Sequence, residues 1–187
     1  MSCGNEIGRS TTSDKTLVGS RVSGLPAVAL SPVGHEQLRA FVRYSLSQLR
    51  NRNEHHRFEH LCEALARQRI TPNIVVGTGP VSAGGDQGRD FETFRGYTRG
   101  HIRELGAQIG IRDSDTIVFC CTVGQDDVQK KIRRDIKELT SAGSAVDVVV
   151  HFSEQDVPTA ARHKLIEKAL ADHGVRLEIL DGQTLTG

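Results

Sequence analysis

The 187-residue sequence has no tryptophan, only two tyrosines and six phenylalanines, and a single methionine. With aromatics at 4%, it lacks the rings on which single-stranded nucleic acids are stacked, which excludes a base-stacking platform. Its four cysteines, Cys3, Cys62, Cys120 and Cys121, form no Cys-x-x-Cys pair. A disulfide framework or zinc knuckle is thereby disfavoured, and free thiols suit a reducing cytoplasm. No run approaches the roughly 20 apolar residues of a membrane span. The N-terminus also lacks the charged-then-apolar pattern of a signal peptide. An excess of either charge is missing as well, 24 Lys and Arg standing against 23 Asp and Glu. That balance rules out a histone-like or polybasic protein, yet leaves room for a local basic patch that meets DNA. Two nucleotide motifs fail: Gly77 and Gly79 lack the third glycine of a dinucleotide fingerprint, and no P-loop Gly-Lys-Ser/Thr occurs. No Ser or Cys sits in a nucleophile elbow.

What is present reads as one α/β domain. Residues 1–31, rich in Ser, Thr and Gly without sustained periodicity, are expected to be a disordered leader, and 32–187 a single domain. Leu38, Phe41, Val42, Leu46 and Leu49 recur at helical spacing over 34–52, and Phe58, Leu61, Cys62 and Leu65 do so over 53–69. The pair Thr71-Pro72 ends the second helix, because proline disfavours helix in the residue before it. Short strands are expected at 73–76 and 89–95 around a glycine turn, then a weak helix at 98–112 and an apolar strand at 116–123. Asp126 or Asp127 caps a helix with the stripe Val128, Ile132, Ile136 and Leu139. A strand at 145–152, a helix at 158–173 capped by Gly174, and a strand at 175–180 complete the order. Asp181-Gly182 reads as a turn away from the sheet. Helices alternating with strands predict a three-layer domain with a central mixed sheet.

The chemistry gathers around the glycine turn. Gly84, Gly85 and Gly88 allow close backbone approach to a ligand, and the turn delivers Asp86 and Asp90 into the strand carrying Glu92. Asp90 and Glu92 are two apart in a predicted strand, on one face, where carboxylates need a cation or a donor to offset desolvation. Alternatively Asp90 only caps the turn and Glu92 lies at a solvated sheet edge, as Asp86 more simply shapes the turn. Glu59 borders the predicted core beside Cys62 and Ala66, as a site acid or as the partner of an arginine. Lys131 could stabilise a phosphorane-like transition state, or pair with Asp127 and Asp135 in a solvated row. Gln125 is a neutral oxygen ligand or a loop residue. His56 and His60 have zinc-ligand spacing, but Arg57 stands where a zincin motif needs glutamate.

Phe58-Glu59 on a helix, the run from Gly85 to Asp90, an apolar strand, and a helix with Lys131-Ile132 and Asp135 together resemble the Mrr-like branch of the PD-(D/E)xK nucleases. The closing segment from Gly174 to Gly182 is similar to that of restriction-endonuclease-like domains at the N-termini of large bacterial defence proteins. The resemblance spans about 53–182. It implies a restriction-endonuclease-like fold and a Mg²⁺-dependent (or Mn²⁺-dependent) DNA endonuclease. In that picture Asp90, Glu59 and Glu92 hold metal, Asp86 is the turn aspartate, and Glu59, Asp90, Gln125 and Lys131 carry the catalysis. The family's (Q/E)-x-K belongs on the third strand, where this chain reads Val118 to Val123. Gln125 and Lys131, just past that strand, would take over its roles; the alternative is an inactive nuclease-fold module that binds DNA or a partner domain. Arg89, Arg95, Arg99, Arg133 and Arg134 are candidate phosphate contacts. A homodimer and a fused or associated sensor or NTPase domain are the further partners the resemblance implies.

Overall fold

The structure, a computed structural model, describes residues 32–52, 54–76, 91–93, 101–124, 126–141 and 145–186. The leader 1–31 and the glycine turn lie outside them. Two N-terminal helices, α1 (Pro32–Asn51) and α2 (His55–Arg69), precede a hairpin-like pair, β1 (Ile74–Val76) and β2 (Phe91–Thr93). A short α3 (Glu104–Gln108) leads to β3 (Ile117–Thr122), α4 (Val128–Ser141), β4 (Val148–Ser153), α5 (Thr159–His173), β5 (Arg176–Leu180) and α6 (Gly182–Thr186). The five strands form one sheet in the order β1-β2-β3-β4-β5. Antiparallel pairing joins β1 to β2 and β2 to β3, whereas β3, β4 and β5 are parallel. The mixed sheet and the α/β class expected from the sequence are therefore present.

Parallel neighbours dictate the layering. Each crossover from β3 to β4 and from β4 to β5 must leave the sheet and return in the same direction, which a helix accomplishes. Val118, Cys120, Val149, Leu177 and Ile179 pack on one side with Val128, Ile132, Ile136 and Leu139 of α4 and Leu165 and Ala169 of α5. Phe119, Val148, Val150, Phe152 and Leu180 pack on the other with Phe58, Cys62, Ala66, Ile70 and Leu46. Cys120 and Cys121 part to opposite faces, as alternation along a strand requires, and are free thiols with Cys62. Phe119 and Phe152 stack at 6.3 Å between centroids, linking β3 to β4 under α2.

Local chemistry sets the ends of the elements. Asp127 Oδ1 accepts the Lys130 amide at 2.8 Å, the cap expected from the sequence. Gly174 ends α5 at φ 68°, a left-handed conformation that favours glycine. The expected turn at Asp181 is instead the start of α6: Asp181 Oδ1 accepts the Thr184 amide at 3.1 Å and its hydroxyl at 2.8 Å. Among the described residues of the weak helix expected over 98–112, Glu104–Gln108 are helical. Gly106 explains why that helix can sit so close: an added Cβ would lie 2.9 Å from the Ile70 carbonyl. Four residues expected on apolar faces are exposed, Leu38, Phe41, Leu61 and Leu170, and α1 packs against α2 and α6 with a narrower stripe than its sequence offers.

Phe58 is fully buried between α2 and the sheet. Replacing it with alanine is expected to cost about 3–5 kcal/mol, read from urea unfolding followed by circular dichroism.

Candidate functional site

In parallel α/β sheets the strand C-termini are where loops open and ligands are met. Here β3 ends at Thr122 and β4 at Ser153, register partners on neighbouring strands. Thr122, His151 and Ser153 are buried, as is Asp135 on the covering helix α4. His151 Nε2 lies 3.2 Å from Thr122 Oγ1 and 3.6 Å from Asp135 Oδ2. The other oxygen, Asp135 Oδ1, accepts from Lys131 Nζ at 2.5 Å. A line of polar groups thus runs from the buried end of β3 to a lysine in the first turn of α4.

The line is incompletely satisfied. Asp135 Oδ2 and His151 Nδ1 have no hydrogen-bond partner, and neither does Glu154 Oε2 in the loop after β4. Glu154 Oε1 does accept the amide of Gly124, at 2.7 Å, tying the two post-strand loops together. Gly124 itself sits at φ 72°, which suits glycine. The His151 pKa lies below the usual 6.5, chiefly because burial disfavours the imidazolium. Asp135 pulls in the opposite direction and the Lys131 charge adds to the lowering, so His151 is neutral at pH 7. Asp135 therefore depends on Lys131 for its compensating charge.

A second buried carboxylate, Asp181, behaves differently. Burial alone would raise its pKa, but hydrogen bonds from the Val157 and Thr184 amides, the Thr184 hydroxyl and Arg162 outweigh that and hold it below the usual carboxylate value. Arg162 Nη2 reaches Asp181 Oδ2 at 2.5 Å and its Nη1 the Ile179 carbonyl at 2.7 Å. This fully partnered carboxylate pins the C-terminus to α5, and its role is structural.

The residues singled out from sequence are distributed around this frame. Glu59 is half-buried on α2, with His56 Nδ1 at 3.2 Å. Lys131 belongs to α4, on the opposite side of the sheet from α2. Its ion pair is with Asp135 alone of the two aspartates expected, and that partner is buried, so the solvated row read from the sequence is corrected. Glu92 is placed by its backbone, opposite Val75 and Val118. Asp86, Asp90 and Gln125, with Arg89, Arg95 and Arg99, lie outside the described residues. Arg133 and Arg134 are exposed on α4. Among the described residues, no group of three or more His, Cys, Asp or Glu could hold a metal ion. His56 and His60 each face a glutamate one turn along, Glu59 and Glu63.

Sequence reasoning overlooked His151, a single ionisable residue inside an otherwise apolar strand, and the burial of Asp135. The signal was available: Asp135 adjoins Ile136 and follows Ile132 by three, placing it on the edge of the buried stripe. Comparison of the chain with protein-family models, with curated proteins and with solved structures gave no match. Among the described residues, no helix is long and apolar enough to cross a membrane.

Two outcomes are expected of the buried line. Because the folded pKa of His151 lies below its unfolded value, the unfolded chain takes up a proton first as the pH falls through 6.5. Stability should decline below that pH, with a ceiling of about 1.4 kcal/mol per pH unit for one proton, and His151→Asn should flatten this decline in urea titrations at pH 5–8. Lys131→Ala strands the buried Asp135 carboxylate and should destabilise the fold by about 3–5 kcal/mol, with Asp135→Asn in the same chain restoring part of the loss.

Proposed function

We propose that the chain is a restriction-endonuclease-like domain that hydrolyses phosphodiester bonds in DNA with Mg²⁺, Mn²⁺ substituting. The observation that carries this reading is the direction of β2. Its first residue, Phe91, is paired with Phe119 and the next, Glu92, with Val118. The strand therefore starts opposite the middle of β3 and runs back toward the start of β3. In chain order Asp90 immediately precedes Phe91, and Gln125 stands between β3 and the first turn of α4 with Lys131. Four residues separate α2, which carries Glu59 beside the buried Phe58, from β1.

The donor set fits the metal. Carboxylate oxygens are the ligands a hard divalent cation takes, and Glu59 retains exposed carboxylate surface with His56 as its side-chain partner. Asp90 and Glu59, with Glu92, would hold the ion, which when bound lowers the pKa of a coordinated water and neutralises charge on the attacked phosphate. Lys131 supplies a fixed positive charge, its ammonium anchored by Asp135. Exposed Arg133 and Arg134 continue along α4 and would meet the phosphate backbone without reading bases. The wider setting we infer is an effector in cytoplasmic bacterial defence, acting with sensor or NTPase domains.

A specific observation also favours a second reading, a nuclease-fold module without activity that binds DNA or a partner domain. Val118, Phe119 and Cys120 fill the third strand with buried apolar side chains, leaving it without an acid or a lysine.

Plasmid nicking separates the two readings. Wild type is expected to nick supercoiled DNA with Mg²⁺ or Mn²⁺ and not with EDTA. Asp90→Ala should lower the rate at least 100-fold, about 2.7 kcal/mol of transition-state stabilisation, without change in thermal unfolding. Nicking that survives in Asp90→Ala, or that ignores EDTA, rejects the site. DNA binding without nicking selects the inactive module.

A further inference from the structure

Five of the 14 residues of α4 are cations, Lys130, Lys131, Arg133, Arg134 and Lys137. Lys131 is turned inward onto the buried Asp135. The other four are exposed, and their spacing is i, i+3, i+4, i+7. At 100° per residue they fall within a sector of about 100°, roughly opposite the buried Val128, Ile132, Ile136 and Leu139. The stripe therefore faces away from the sheet, and at 1.5 Å per residue it is about 10 Å long.

Little negative charge stands against it. One acid lies beside it on the helix, Glu138, 3.9 Å from Arg134. Asp126 and Asp127 precede the first turn, where Asp127 accepts the Lys130 amide. Among the described residues, no acid lies within ion-pair distance of the side chains of Lys130, Arg133 or Lys137. On α1 and α2 the same spacing pairs opposite charges: Arg39 with Glu36, Arg57 with Glu54, Arg67 with Glu63. On α4 it sets cation beside cation four times, Lys130 against Arg133 and Arg134, and each of those arginines against Lys137. Like charges at these spacings destabilise a helix, and an anionic partner relieves the repulsion.

The rest of the face narrows the partner's chemistry. The other exposed residues of α4, Glu138 and Ser141, are polar. No apolar or aromatic side chain is exposed on this helix to anchor a protein, stack a base or enter a membrane. Contact through charge alone suits a regular row of phosphates, which duplex DNA presents at one charge per about 1.7 Å of its axis. Such contacts hold the backbone and read no sequence.

We propose that Lys130, Arg133, Arg134 and Lys137 together form a binding stripe for the phosphate backbone of duplex DNA. The choice of DNA among polyanions rests on the reading of the chain as a DNA nuclease. The stripe extends the contact from two arginines to a row of four cations that grips the duplex without metal, whether or not a bond is cut.

Fluorescence anisotropy of a labelled DNA duplex, titrated with the full chain in EDTA at about 50–200 mM KCl, tests this. Each cation that meets a phosphate contributes about 0.9 to the slope of log Kd against log salt. R133Q/K137Q should therefore lower the slope by about 1.8 and weaken binding about tenfold at the lowest salt, with urea unfolding unchanged. K164Q/K168Q removes the same charge from exposed positions of α5 and should leave the slope as it is. A wild-type chain that does not bind the duplex at low salt overturns the proposal. So does a slope indifferent to R133Q/K137Q, an equal drop in K164Q/K168Q, or tighter binding to an RNA duplex of the same sequence. Failure to nick plasmid, with these slopes as expected, rejects the active site and leaves the stripe standing. Nicking by wild type with a slope indifferent to R133Q/K137Q rejects the stripe and leaves the site.

Discussion

The fold depends on the parallel pairing of β3 with β4. Six register pairs, from Ile117–Val148 to Thr122–Ser153, make this the longest ladder of the sheet, and both of its faces are buried. A ladder with no solvent face has to be covered twice. The return path from β3 to β4 supplies one cover, α4, and the N-terminal helices supply the other. With the covers in place, the only way out of the sheet is at the strand ends. Polar chemistry therefore collects at the C-termini of β3 and β4, where Thr122 and Ser153 interrupt otherwise apolar strands.

In the proposed site the acidic turn and the lysine helix, far apart in the sequence, would meet at one sheet end. β2 is antiparallel to β3, its first residue Phe91 pairs with Phe119 in the middle of that strand, and α4 follows the end of β3. The site proposed there draws on both faces. Glu59 comes from the α2 side and Lys131 from the α4 side, which bears on how a phosphodiester would be gripped: across the sheet end, with the two helices as opposing walls.

Much of this was legible in the sequence, because burial on two faces leaves long apolar strands and burial on one face leaves helical stripes. Val128, Ile132, Ile136 and Leu139 announced α4, and all four are buried. Gly174 and Asp127 marked helix ends through local backbone chemistry that needs no tertiary context. What stayed hidden depends on tertiary context. Asp135 looks like one more surface acid of a charged helix until His151 on β4 is brought beneath it. Leu38 and Phe41 look like core until α1 packs on α2 and α6 with Leu46, Val42 and Leu49 turned inward. Asp181 read as a turn, since the same side-chain oxygen that shapes a turn also caps a helix, and only the chain beyond decides between them.

The way α1 is fastened has a consequence for how the molecule comes apart. Among the described residues, one buried leucine, two partly buried apolar side chains and two arginine bridges hold α1, which packs on α2 and α6. Such an element can lift off while the sheet stays closed, as a partial opening of far lower free energy than global unfolding. Because Arg39 grips the Thr186 carbonyl in α6, the C-terminal turn would be loosened with it. The two ends of the folded domain thus form one cooperative unit, peripheral to the sheet, whose amides would exchange with solvent together and ahead of those in β3 and β4.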